Sequence, residues 1–583
     1  LLHRTFVDEY LPYLSIMFTT SVIELYSQSK FLFWTVMLTA CLSDPDPTLY
    51  IKLSSLIKQL AIEPCWLRTP RSTHISQALI ILSIWPSPNQ KVLDDCSYRF
   101  INLAKSLSYQ LGLHRGEFIY EFTRNQTLMP NAKKWRTRTW LGIFFTEICW
   151  STILGLPPTS QNDYLVEMAK SAEEMDDKDL NQDIMNNIDD DYDNSKPYTF
   201  KLPSRFKKLI SLASFQMKSC NVMGSSVISS HGLIEPKDRA GTLAALETEL
   251  EAINKTLNFE TDIVVQIYYL YVRLNICCFA FLPQTPVEDQ SQYITKAYFY
   301  ATKCVTLVSK LLEEKPLISL PIYVRQSITF SGLLLFKLQL NPLIINKYFN
   351  SARQSIVTVH RLFRNQSSAW AAVENDISRT ATMLEKSNMI LITHPEVFTE
   401  GVGIISRIRS HLTGSLFYDF VWCVHEARRR EMDPTYHKKT KHDDKNSDNK
   451  IYPLPLYNQI LKEDFQTLTE TTPNGTTVTT LVPTSSALRH AEEVARTKKG
   501  DDHNTMTING IPLTMLDKTG SVKNYDSLFL KIGFVSPDSS WSSPVSSMTP
   551  FTKAASVKSD HSISNLQSDR DTQSLQQQLG MPL

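Results

Sequence analysis

Apolar positions recur at three- and four-residue spacing along most of the first 430 residues, the pattern of helices that bury one face. Alternation of the strand type is scarce. In residues 1 to 170, Pro45, Pro47, Pro64, Pro70, Pro86, Pro88, Pro130 and the pair Pro157-Pro158 divide the apolar segments at intervals suited to helices of about 10 to 25 residues. From Cys96 to Leu111 the spacing puts Phe100, Leu103, Ala104, Leu107 and Leu111 on one face, and Gly112 follows as the residue that accepts positive φ at a helix end. Asn131 is placed to cap another helix. Its first turns are basic, with Lys133, Lys134, Arg136 and Arg138, and from Trp140 to Leu156 it is apolar nearly all round, which predicts a central, buried helix.

Between Glu173 and Asp193 ten acidic residues stand against one lysine, and Pro197 follows, so residues 171–198 read as a solvated, flexible linker. Helical spacing returns with Leu243, Leu246, Leu250, Ile253 and Leu257. It continues through Ile263 to Phe281, Tyr293 to Leu312, Ile322 to Leu340, Ala369 to Ile392 and Ile404 to Arg428. No fixed-period repeat is visible. The pattern therefore predicts an all-α protein: a helical domain in two halves, 1–170 and 199–430, and a mostly disordered tail over 431–583 rich in Ser, Thr, Gln and Asn. One amphipathic island stands out in that tail, Tyr525 to Phe534.

Composition narrows the function classes. Among 583 residues, 60 Lys and Arg balance 59 Asp and Glu, so no bulk field draws the chain to nucleic acid or to an anionic membrane. The nine cysteines form no C-x-x-C pair, which points to reduced thiols in an intracellular compartment, and the N-x-[ST] matches at Asn125, Asn254, Asn365 and Asn474 carry no weight there. The apolar stretches Phe31 to Leu42 and Leu141 to Leu156 fall short of the ~20 residues that cross a bilayer. Leu1 in place of Met, with no charged leader, suggests a piece of a longer protein.

Catalytic patterns fail on inspection. Asp189-Asp190-Asp191-Tyr192-Asp193 has the D-D-x-x-D spacing of magnesium-chelating carboxylates, yet it lies among Asn, Lys and more Asp rather than on an apolar helix wall. The companion pattern at Asn375-Asp376 has Arg379 and Met383 at its defining positions. There is no phosphate-cradling G-x-x-x-x-G-K-[ST] loop, H-E-x-x-H or G-x-S-x-G, and Gly401-Val402-Gly403 lacks its third glycine. No catalytic or metal-ligating residue is assigned. Two basic clusters, Arg428-Arg429-Arg430 and Lys438-Lys439-Thr440-Lys441, suit either a nuclear-import signal or a solvated helix end.

Three segments in a fixed order carry a resemblance: Leu111-Gly112-Leu113-His114-Arg115, then Trp135-Arg136-Thr137-Arg138-Thr139-Trp140, then Leu154-Gly155-Leu156-Pro157-Pro158. Together they resemble the middle homology region of fungal zinc binuclear cluster transcription factors. The runs Ser108 to Gly116 and Lys134 to Ser160 look most like the leucine-biosynthesis regulator that responds to α-isopropylmalate. The resemblance implies an all-α regulatory domain and no catalyst, with Leu111, Gly112, Leu113, Trp135, Trp140, Gly155, Pro157 and Pro158 as its framework. It also implies nuclear action, a homodimer in the full-length protein, and contacts with the transcription machinery or a co-regulator. DNA would be read by an N-terminal six-cysteine module holding two zinc ions, and neither six closely spaced cysteines nor heptads occur here. The Gln-rich end, Asn565 to Leu583, departs from the acidic activating end of that regulator.

A dicarboxylate effector would need fixed positive charge, because two buried, unpaired carboxylates are costly. His114, Arg115, Arg136 and Arg138 are the candidates. Arg136 and Arg138 diverge by about 200° on a helix, so one of the pair at most faces a given pocket. The same cations also suit ion pairs with Glu147, Glu117 or Glu121, and His114 suits a helix-end charge.

Overall fold

The computed structural model describes residues 1–17, 19, 21–67, 72–89, 95–122, 132–175, 201–341, 346–365, 370, 373–399 and 403–432, together with the backbone of 465–471, 477–483, 507–508 and 511–512. The architecture is all-α. In chain order its longer helices are α1 (Val22–Gln28), α2 (Lys30–Ala40), α3 (Thr48–Leu60), α4 (Thr73–Ile84), α5 (Ser97–Leu111), α6 (Ala132–Leu154) and α7 (Tyr164–Ser171). After the acidic segment come α8 (Ser204–Gly224), α9 (Pro236–Leu257), α10 (Ile263–Ala280), α11 (Val287–Leu311), α12 (Ile322–Leu338), α13 (Asn346–Arg364), α14 (Asp376–Thr393) and α15 (Ser415–Met432).

Local chemistry sets many of the ends. Ser21, Ser29, Ser72, Asp163 and Asp262 each accept a backbone N–H as N-caps of α1, α2, α4, α7 and α10, and Asn375 with Ser378 forms a reciprocal capping box on α14. α5 ends as its sequence predicts, on Gly112 at φ +77°. α6 is buried from Thr137 to Thr152, which is the fate of a helix apolar on every side. It lies against α4, α5 and α8.

The helices before and after the acidic segment share one core. The Trp85 indole donates to the Ser319 carbonyl at 2.9 Å, the Tyr323 hydroxyl donates to the Tyr13 carbonyl at 3.2 Å, and Cys149 Sγ sits 3.4 Å from the Tyr268 hydroxyl. Short strands β1 (Glu173–Met175) and β2 (Lys201–Pro203) pair in parallel, so the chain leaves for and returns from the acidic segment side by side. That segment, with Asp189 to Asp193 and Pro197, lies outside the described residues.

α10 is 18 residues long and apolar enough to cross a bilayer, a candidate that the shorter stretches near residues 31 and 141 did not reveal. Its window is 83% buried inside the protein, between α8, α9, α11 and α12, which is the setting of a core helix.

The described backbone of the tail forms two antiparallel ladders, the shorter one pairing Thr507↔Pro512 and Ile508↔Ile511. β3 (Phe465–Thr471) and β4 (Thr477–Pro483) form an antiparallel ladder from Phe465↔Pro483 to Thr471↔Thr477, and β4 runs beside α11 and α13. The strands are rich in Thr and Val, and Pro473-Asn474-Gly475 between them is a turn sequence. The island Tyr525 to Phe534 and the cluster Lys438 to Lys441 lie outside the described residues.

Candidate functional site

The three signature segments meet around α6. At the first, Gly112 is required twice over: its φ is positive, and a Cβ would stand 2.4 Å from the Phe122 ring. Leu113 is fully buried. His114 sits among aromatic rings, with centroids 4.8 Å from Tyr109, 5.2 Å from Phe122 and 5.8 Å from Trp140. Burial, reinforced by Arg115, lowers its pKa from the usual histidine value. Arg115 itself is exposed.

At the second segment, Trp135 is buried with the Lys134 ammonium 4.8 Å and the Arg138 guanidinium 5.0 Å from its ring centre. Arg138 is wholly buried and donates from Nη2 to the Lys201 carbonyl at 3.3 Å, which ties α6 to β2. Arg136 is half-buried, so the two arginines diverge as their spacing requires. Trp140 donates from Nε1 to Asp163 Oδ2 at 2.6 Å, while Oδ1 of the same carboxylate accepts the Val166 N–H at 2.9 Å and caps α7.

The third segment closes the helix. Gly155 has φ +67°, and a Cβ there would fall 2.2 Å from the His411 carbonyl oxygen, because the turn before α15 lies directly on this backbone. Pro157 and Pro158 then turn the chain back over Glu147. That carboxylate is fully buried and accepts from Ser151 Oγ at 2.8 Å, Thr159 N at 3.0 Å, Thr159 Oγ1 at 3.1 Å and Ser160 N at 3.1 Å. Lys105 reaches in from α5 and donates to Thr159 Oγ1 at 2.8 Å; burial lowers its pKa while Glu147 opposes that shift.

The four candidate effector cations thus stand in different surroundings: His114 in a ring cluster, Arg115 at the surface, Arg136 half-buried, and Arg138 inside against Trp135. Lys105, Asp163 and Ser160 do connect the segments, yet the sequence reading did not single them out. Asp163 had a visible signal, an N-cap residue directly before Tyr-Leu-Val. Nucleophilic chemistry has little support here, since burial pushes the Cys149 and Cys220 thiols up to about 12.

A pocket of about 440 Å³ opens elsewhere, between the turn after α2, the link from α11 to α12, and the end of α13. Leu42, Leu312, Leu317, Ile318, Leu362 and Trp370 supply its apolar wall, with Asp44 and Asn365 at its polar side. The Trp370 indole donates to the Asp44 carbonyl at 2.8 Å and its ring lies 5.2 Å from that of Tyr50. None of the four cations lines it.

Comparison with known proteins shows what the chain is similar to. Residues 2–269, which contain all three segments, match the family described as the fungal specific transcription factor domain. The chain is homologous to fungal transcription regulators over most of its length. It is 64% identical over 557 residues to the putative transcription factor SEF1 of Saccharomyces cerevisiae, covering 91% of this chain and 48% of that protein. To the putative transcription factor SEF1 of Kluyveromyces lactis it is 63% identical, covering 89% and 45%, and to the transcriptional regulatory protein SEF1 of Candida albicans 53% identical, covering 90% and 54%. The chain spans about half the length of these curated relatives, and none of their names speaks of leucine biosynthesis or an effector. No solved structure matches.

Proposed function

We propose that this chain is the regulatory body of a fungal zinc cluster transcription factor, acting in the nucleus and setting the output of a DNA-bound homodimer. DNA recognition belongs in this reading to a six-cysteine module with two zinc ions that this sequence does not contain. The observation that carries the proposal is the convergence of the three signature segments on α6, tied by Trp140 to Asp163 and by Glu147 to Thr159 and Ser160. Such a rigid centre suits a domain that passes between two packed arrangements and biases a partner contact, which is regulation by population shift. Activation is the sign we assign, through contact with the transcription machinery or a co-regulator.

Fusing the chain to an unrelated DNA-binding module at a reporter promoter tests the reading. It predicts that reporter output departs from that of the module alone. Output equal to the module's, with the fusion shown to be folded and bound, contradicts it.

The finer assignment to leucine biosynthesis, with α-isopropylmalate as effector, is supported by the likeness of Ser108 to Gly116 and Lys134 to Ser160. Its recognition residues would be drawn from His114, Arg115, Arg136 and Arg138. Calorimetric titration of the folded chain with α-isopropylmalate decides it: saturable heat supports the effector, and a flat titration removes it while leaving the regulatory reading intact.

A further inference from the structure

We propose that the pocket beside Trp370 is a binding site for a small organic cation, a compact apolar body carrying an ammonium group. Its volume of about 440 Å³ lies within the range of small-molecule sites, and its wall is largely aliphatic with one aromatic ring, as such sites are. The polar groups define the ligand's charge. Asp44 is the one acidic side chain among the described lining residues, and it is exposed at the rim. One of its oxygens accepts the Asp46 N–H at 2.9 Å, and a carboxylate has further acceptor capacity that an ammonium group could use. The Asn365 side chain adds a carbonyl acceptor, and the buried Trp370 ring contributes apolar wall.

The surroundings act in the same direction. Glu313 and Glu314 lie exposed on the link that supplies Leu312 and Pro316, and Glu9 accepts the hydroxyl of Ser43 at 2.9 Å. Two cations of the same stretches are held elsewhere: Lys315 donates to the Glu9 carbonyl at 3.3 Å over the Tyr13 ring, and Arg364 makes a two-point contact with Glu385 at 2.6 and 2.8 Å. A dianion such as α-isopropylmalate meets a carboxylate here and no cation among the described lining residues. The site is therefore separate from any effector held by Arg115 or Arg136, and it does not depend on the proposed function.

Three probes of one carbon skeleton test the assignment: hexylammonium, hexanol and hexanoate, titrated calorimetrically into the full chain. Hexylammonium is expected to bind about tenfold more tightly than hexanol through its charge–charge contact with Asp44, with hexanoate weakest. Asp44→Asn keeps the acceptor for the Asp46 N–H and should reduce hexylammonium to the affinity of hexanol. Leu362→Trp should fill the space and abolish binding of all three. Equal affinity for the three probes, an unchanged hexylammonium affinity in Asp44→Asn, or binding that persists in a folded Leu362→Trp chain each overturn the proposal. If Leu362→Trp does not fold, the probe ranking and Asp44→Asn decide by themselves.

Discussion

Glu147 is the most consequential single side chain at the signature centre. Four donors converge on its carboxylate, and Thr159 and Ser160 belong to the turn that the two prolines create. Glu147→Gln turns a donor toward donors, so the protein should lose about 2–4 kcal/mol in urea denaturation. A loss below about 0.5 kcal/mol would show that the turn does not lean on this group. Histidine gives the pH dependence. His74 is buried in α4, and desolvation lowers its pKa to about 4 from the usual 6.5. Because the folded value is the lower one, its neutral form supports the fold fully above pH 6.5. That support declines as pH falls toward 4, by about 3 kcal/mol in all. His74→Gln should therefore flatten the loss of urea midpoint between pH 6.5 and 4, and an unchanged slope would assign the acid sensitivity elsewhere. At this scale the sequence discloses residues whose role is backbone geometry, such as Gly112 and the Pro157-Pro158 pair. It does not disclose that Glu147 serves Thr159 and Ser160 rather than an arginine. A partner choice of that kind is decided by which loop folds over the carboxylate.

Among the elements, two glycines make opposite predictions. Gly155 has positive φ and touches the His411 carbonyl, so Gly155→Ala should cost about 3 kcal/mol or more. Gly241 lies inside α9 with nothing within 4 Å of a built Cβ, and Gly241→Ala should gain about 0.5–1 kcal/mol. Equal effects at the two positions, measured by thermal or urea unfolding, would contradict the close approach at the end of α6. A buried pair joins two later helices: Lys337 of α12 donates to Asp419 of α15 at 2.5 Å, beside the Phe398 and Phe420 rings. Lys337→Met should cost about 3–5 kcal/mol because it strands a buried carboxylate, whereas the double change with Asp419→Leu should recover much of that loss. Helices α5, α6, α10, α11 and α12 are legible from spacing alone. The region 404–428 is α-helical only from Ser415, since the turn that meets Gly155 occupies its first part; α8 escapes the spacing argument because polar residues interrupt its apolar face, whereas α13 carries a regular face of Phe349, Ala352, Ile356, Val359 and Phe363 that the sequence reading passed over. The hairpin β3–β4 was hidden for another reason: Thr-rich strands share their composition with unstructured tails.

For the molecule as a whole, α6 links segments that the sequence separates into two halves around an acidic linker. Their shared core, through Trp85 with Ser319 and Tyr323 with Tyr13, makes them one continuous unit. The all-α class and the regulatory reading were within reach of the sequence because three short motifs carry backbone constraints that recur in order. The four effector cations were not resolved in the same way, since charge alone does not determine which side chains a fold brings together. The most direct measurement is an exchange in Saccharomyces cerevisiae, in which the matched region of its SEF1 protein is replaced by this chain and transcripts of genes bound by the chimera are quantified. The account predicts transcript levels close to those with the native regulator, and a return toward the level of a strain lacking the region when Gly155→Ala and Glu147→Gln are introduced. Transcripts that match the lacking strain, although the chimera is folded and bound to DNA, would contradict it.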